Sequence, residues 1–127
     1  MTKPLSDAEL DIMQIIWAQP GPVLFAELMT QLAAQGKRWQ KNTVITLLAR
    51  LMDKGFLSAQ KTGRRNAYTA LVSQQSYQTV QTRCFVDKLF AGQAGALVNH
   101  LVASELLTDE EYAQLKALLE EGGDQRA

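Results

Sequence analysis

The chain has 127 residues, 46% of them apolar, and its 13 basic and 13 acidic side chains cancel. That length suits a compact chain able to bury a core, leaves little room for an elaborate multi-domain enzyme, and with Cys84 as the single cysteine excludes an intramolecular disulfide or a Cys-rich metal site. No apolar signal segment follows Met1-Thr2-Lys3-Pro4, and runs such as Ile15-Ile16-Trp17-Ala18 are far too short to span a bilayer, so a cytoplasmic protein with no membrane partner is expected.

A first helix is predicted from Ser6-Asp7-Ala8-Glu9, where the Ser6 hydroxyl can accept from the Glu9 amide while the Glu9 carboxylate reaches back to the Ser6 amide. Leu10, Met13, Ile16 and Trp17 follow at helical spacing, and Pro20-Gly21-Pro22 stops the helix. A second helix fits Phe25 to Gln35, with Phe25, Leu28, Met29 and Leu32 on one face and Gly36 as its end. The third runs from about Gln40 to Lys54 with Val44, Leu47, Leu48 and Leu51 inward, and Gly55 suits the left-handed residue that closes it. Two short segments, Phe56 to Lys61 and Ala67 to Val72, flank Thr62-Gly63-Arg64-Arg65-Asn66 and read as a β-hairpin. Three helices and then a hairpin is the order of a winged helix-turn-helix.

Three more helical stretches follow. Tyr77, Val80, Cys84 and Phe85 give one apolar face, with Cys84 read as a small core residue. Ala94, Leu97, Val98, Leu101 and Val102 give another, and Gly92 and Gly95 are expected to kink or break the path between the two. Thr108 to Glu111 forms a second capping box, opening a helix with Tyr112, Leu115, Leu118 and Leu119 inward. These faces exceed what a small first unit can cover, and a symmetric dimer would supply the missing surface. The expected fold class is therefore mainly α with a small β-hairpin wing: a winged helix-turn-helix over residues 1–72, then a helical dimerisation region over 73–127. Tyr77, Val80, Leu97, Val98, Leu101, Leu115 and Leu118 are the expected dimerisation residues.

Charge divides along the same line. Met1 to Val72 holds nine basic and five acidic residues, Ser73 to Ala127 four and eight, and Gly36 to Asn66 alone carries eight basic residues against Asp53. A basic block beside an acidic one suggests an anion-binding half. On the third helix Asn42, Thr43, Thr46 and Arg50 lie opposite the apolar stripe, so short polar side chains and one arginine face outward. Such residues suit base edges and phosphates in a major groove, and Lys41 adds a cation near the amino end. Arg64 and Arg65 at the hairpin tip suit backbone contacts or a narrow minor groove. An ordinary solvated helix face beside a basic turn is the competing interpretation.

Enzymatic signals are poor, and no catalytic residue, metal site or cofactor is expected. His100, the single histidine, sits in an apolar helical pattern. Asp109, Glu110 and Glu111 complement a helix dipole. Gly92-Gln93-Ala94-Gly95 lacks the spacing of a dinucleotide-binding loop.

The run Thr43-Val44-Ile45-Thr46-Leu47-Leu48-Ala49-Arg50-Leu51-Met52-Asp53-Lys54-Gly55-Phe56-Leu57 resembles the T-V-x-T-L-L-x-R-L-x-x-K-G-x-L signature of the penicillinase-repressor (BlaI/MecI-type) transcriptional regulators. Leu5 through Trp17 is similar to that family's first helix and Gly63-Arg64-Arg65-Asn66-Ala67-Tyr68 to its wing; the likeness runs from about Leu5 to Leu119. It implies a homodimeric repressor whose winged helix binds a palindromic operator in double-stranded DNA and whose carboxy-terminal helices dimerise. It also raises an inducer or a sensor protease as partners. In the antibiotic-resistance members, cleavage falls at an Asn-Phe bond. Alignment on Leu107-Thr108-Asp109-Glu110-Glu111 puts His100-Leu101 there, with Asn99 displaced by one, so the same release is not expected. Copper-responsive relatives carry paired Cys-x-Cys motifs near the carboxy terminus, and this sequence has no cysteine after Cys84.

Two other functions fit the same residues. One is a winged-helix protein-interaction module whose basic face meets an acidic partner. The other is a ligand-sensing, multidrug-type regulator with Tyr77, Phe85 and Phe90 lining a pocket.

Overall fold

A computed structural model describes residues 4–126, with side chains through Gly122. The chain divides into two compact units, residues 1–81 and 82–127, and the boundary falls inside a helix.

The first unit holds α1 (Asp7–Trp17), β1 (Val23–Leu24), α2 (Phe25–Ala34), α3 (Lys41–Asp53), β2 (Leu57–Thr62), β3 (Arg65–Ala70) and the start of α4 (Gln74–Leu89). The expected capping box opens α1: the Ser6 amide donates to Glu9 Oε1 at 2.8 Å and the Glu9 amide to Ser6 Oγ at 3.2 Å. The buried stripe is broader than the four positions expected, because Ile12 and Ile15 face inward beside Met13 and Ile16. This helix is wrapped by α2, α3 and the sheet instead of resting on one surface. At the end of α3 the backbone turns left-handed at Gly55 (φ +83°), where a side chain would be strained.

The sheet has three strands in the order β1-β3-β2, all antiparallel. The hairpin is tighter than a loop over 62–66, since Thr62 pairs with Arg65 and only Gly63 and Arg64 remain in the turn. Gly63 takes φ +68° at the first central position, the requirement of a type II′ turn. Strand β1 was not anticipated; its two residues pair with Tyr68 and Ala67 of β3.

Most of the core lies between α1, α2, α3 and the sheet: Ile12, Met13, Leu28, Leu32, Val44, Leu51 and Phe56 are fully buried. Tyr77 of α4 belongs to it. Its ring sits 5.6 Å from Phe56 in an edge-on pair and 5.8 Å from Trp17, and its hydroxyl accepts from the Leu5 amide at 3.0 Å. Trp17 Nε1 donates to the Val72 carbonyl at 2.8 Å. These contacts bind the chain after the hairpin, and the first turn of α4, to the winged-helix core.

One charge lies inside. Glu9 is 2% exposed and accepts from Lys54 Nζ at 2.7 Å, joining the first turn of α1 to the end of α3. Burial works against ionisation, but the Lys54 ammonium and hydrogen bonds with Ser6 outweigh it and hold the carboxyl below its ordinary value.

The second unit contains the rest of α4, then α5 (Ala94–Ala103) and α6 (Asp109–Arg126). Between α4 and α5 the chain turns through Ala91 and Gly92, both at positive φ; Gly95 does not break the path but lies within α5. The second capping box forms, with the Glu111 amide donating to Thr108 Oγ1 at 3.1 Å and the Thr108 amide to Glu111 Oε1 at 2.9 Å. Cys84 is exposed and is not a core residue, because the buried side chain of this stretch is Val86.

Candidate nucleic-acid interface

Helix α3 has two faces of opposite character. Val44, Leu47, Leu48 and Leu51 are buried against the core, whereas Lys41, Asn42, Thr43, Thr46 and Arg50 are all exposed. The heptad-like spacing of its leucines and valine dictates this: turning about 100° per residue, the apolar positions fall within one arc. Thr46 Oγ1 donates to the Asn42 carbonyl at 2.9 Å, so its hydroxyl proton is committed within the helix and the oxygen can serve a ligand only as an acceptor. No side chain caps the amino end of α3 at Gln40, and no acidic residue occupies its first turn. Free amides and Lys41 therefore meet there, an arrangement that favours anions.

The wing stands beside this helix. Arg64 lies in the turn and Arg65 opens β3, both exposed. Arg64, Arg65 and Asn66 share an open groove of about 530 Å³ with Ile45 of α3 and Phe25 of α2. The two arginines expected at the tip and the helix expected to read DNA thus border one concave surface.

The basic block is not uniform. Lys54 is drawn inward by Glu9, and Lys37 lies 3.5 Å from Asp11. Among the described residues Lys41, Arg50, Lys61, Arg64 and Arg65 form no ion pair, and these keep their charge available. The partners of Lys37 and Lys54 come from α1, far away in sequence, which is why charge counting alone could not separate the two groups. Sequence reasoning also passed over Ile45, which is 51% exposed on the outer side of α3. Its place in an otherwise well-buried repeat of aliphatic residues concealed it.

The residues expected to dimerise are scattered differently. Tyr77 is occupied in the core of the first unit, so its side chain offers no surface to a second protomer. Val80 is half-buried in that unit. In the second unit Leu97, Val98, Leu101 and Leu115 are half-buried and Leu118 is 64% exposed. Val98, Val102, Tyr112, Leu115 and Leu119 line a groove of about 440 Å³ between α5 and α6. Phe85 and Phe90 lie 6.0 Å apart with their rings tilted, and Tyr77 is held in the core of the first unit.

Among the described residues no group of three or more His, Cys, Asp or Glu side chains could hold a metal ion, and no helix is long and apolar enough to cross a membrane.

Comparison with known proteins agrees with this geometry. The chain is 31% identical over 117 residues to the penicillinase repressor of Bacillus licheniformis, covering 92% of this chain and 90% of that protein. It is 29% identical over 118 residues to the methicillin resistance regulatory protein MecI of Staphylococcus aureus, covering 93% and 94%. Among solved structures it is similar to the Bacillus licheniformis BlaI monomeric form in complex with the blaP half-operator, with a TM-score of 0.51 and 32% identity over 61% of this chain and 92% of that one. That likeness gives the fold its name, a winged helix. The family model for the penicillinase repressor matches residues 5–121, and the chain belongs to that family.

Proposed function

We propose that the protein is a homodimeric transcriptional repressor that holds a palindromic operator in double-stranded DNA through its winged helix. The observation that carries the reading is the groove that Ile45 of α3 shares with Arg64 and Arg65 of the wing, on a helix whose Lys41, Thr43, Thr46 and Arg50 are exposed and whose cations, like those of the wing, form no ion pair among the described residues. Thr43 and Thr46 contact base edges in the major groove, Lys41 and Arg50 hold phosphates, and Arg64 and Arg65 grip the backbone or the adjacent minor groove. The structure of the B. licheniformis BlaI with a half-operator supports this assignment, since the same fold there meets DNA.

In this reading the first unit binds DNA and the helices that follow pair two protomers, with α5 and α6 supplying the seam. Two-fold symmetry then sets dyad-related half-sites about one helical turn, or a multiple of it, apart. The protein works as a binding protein without catalysis, in the cytoplasm where its operator lies. The His100-Leu101 bond lies inside α5, so a protease would have to unwind that helix before cutting there. An inducer acting without that cut is the more economical route to release.

The test is fluorescence anisotropy of the full chain against duplexes tiled from the region upstream of its own gene, across a salt series. Saturable binding to one tile, with log affinity falling steeply against log salt and a clear gap over scrambled DNA, is the expected result. Absence of binding to any duplex at low salt, with retention of an acidic protein instead, would favour the protein-interaction module.

A further inference from the structure

We propose that Ile45, aided by Ala49 and the methyl group of Thr46, selects thymine in each half-site by enclosing its C5-methyl group in the major groove. This rests on the DNA-binding reading above and adds to it a residue that chooses sequence. Ile45 is 51% exposed, although the other aliphatic residues around it on α3, Val44, Leu47 and Leu48, are buried. It contributes little to the core, so its bulk is available to a partner. Ala49, one turn further along, is also exposed, and the pair forms a short apolar row beside Asn42 and Thr46. Ile45 lies on the side of α3 that borders the groove with Arg64 and Arg65, the surface on which a DNA strand would lie between helix and wing.

The chemistry of the neighbours narrows the choice of base. Thr46 donates its hydroxyl proton to the Asn42 carbonyl, which leaves its methyl group and an acceptor oxygen to face a ligand. Apart from the Asn42 amide and the Thr43 hydroxyl, the centre of this face is poor in donors. It is therefore better suited to apolar contact than to a guanine edge, which asks for two donors. The thymine methyl is the one apolar group that the major groove presents. An acidic protein surface, by contrast, would leave Ile45 without a matching contact.

The experiment starts by selecting binding sites from a randomised duplex library with the full-length protein. Each thymine of the selected half-site is then replaced singly by deoxyuridine, which removes only the methyl group. At one or two positions deoxyuridine should weaken binding roughly three- to tenfold, the range that burial of one methyl group gives. Ile45→Ala should bind the thymine and deoxyuridine duplexes equally while keeping the wild-type salt slope and circular dichroism spectrum. Indifference to deoxyuridine at every position would overturn the proposal, as would an Ile45→Ala protein that still distinguishes the two bases. Failure to select any sequence at low salt would instead remove the DNA-binding reading and this proposal with it.

Discussion

The two units place their apolar residues in opposite ways. Among the described residues, sixteen of the seventeen buried apolar side chains lie in the first unit, whereas seven of the ten large apolar side chains left exposed lie in the second. The first unit closes a core around Phe56, Leu51 and Ile12 and exposes polar and basic side chains on α3 and the wing. The second unit exposes Leu89 at the end of α4, Leu106 between α5 and α6, and Leu118 and Leu119 on α6, with Val86 as its buried apolar side chain among the described residues. Exposed apolar side chains of that kind suit the proposed seam between protomers. On the dimer reading proposed above, the difference teaches that folding information and assembly information are segregated along this chain: the first unit closes its core within one copy, and the second keeps apolar side chains for a partner.

Breaking the first core should have the largest effect. Phe56→Ala removes a fully buried ring packed edge-on against Tyr77 and should cost about 3–5 kcal/mol, read as a lower urea midpoint together with loss of DNA binding. Lys54→Ala strands the buried Glu9 carboxylate and should cost about 3 kcal/mol in the same assay, although Lys54 carries no DNA contact in this account. The pair also predicts a pH dependence. Because Glu9 titrates below its ordinary 4.5 when folded, the unfolded chain binds that proton more readily. The stabilisation is therefore whole above about pH 4.5 and is lost as pH falls through the lower folded value. Glu9→Gln should flatten that part of the stability profile.

Changes in the second unit should separate assembly from folding. Leu118→Asp places a charge on an exposed leucine, so the near-ultraviolet spectrum of Trp17 and Tyr77 should be unchanged. Sedimentation equilibrium should show the dimer weakened at least roughly tenfold, the cost of an unpaired charge in an apolar seam. The smallest effects belong to the DNA face. Thr46→Ala should alter sequence preference, whereas Arg65→Ala should weaken all sequences alike and reduce the salt slope by about one unit. If both variants lose specific and nonspecific binding equally, base readout and backbone contact are assigned to the wrong residues.

Local chemistry announced much of this fold. The capping boxes at Ser6 and Thr108, the left-handed glycine after α3 and the apolar stripe of α3 all act within a few residues, and each forms as its sequence implies. What escaped depends on distant partners. Strand β1 has two residues and exists because β3 lies beside it. Tyr77 was grouped with Val80, Cys84 and Phe85 by spacing, yet Trp17, Phe56 and the Leu5 amide hold it in the first core while Cys84 faces outward. Helical periodicity says which residues share a face, not what meets that face. The candidate site shows the same limit. The exposure of Thr43, Thr46, Arg50, Arg64 and Arg65 followed from spacing and the turn, whereas the neutralisation of Lys54 by Glu9 needed contacts across 45 positions.

Sedimentation velocity of the full chain, alone and with one selected dyad-symmetric duplex, tests the division of labour most directly. The account predicts a free dimer at micromolar concentration and two protomers on each duplex at moderate salt. A monomer in solution that binds each half-site independently, with no change on Leu118→Asp, would contradict it.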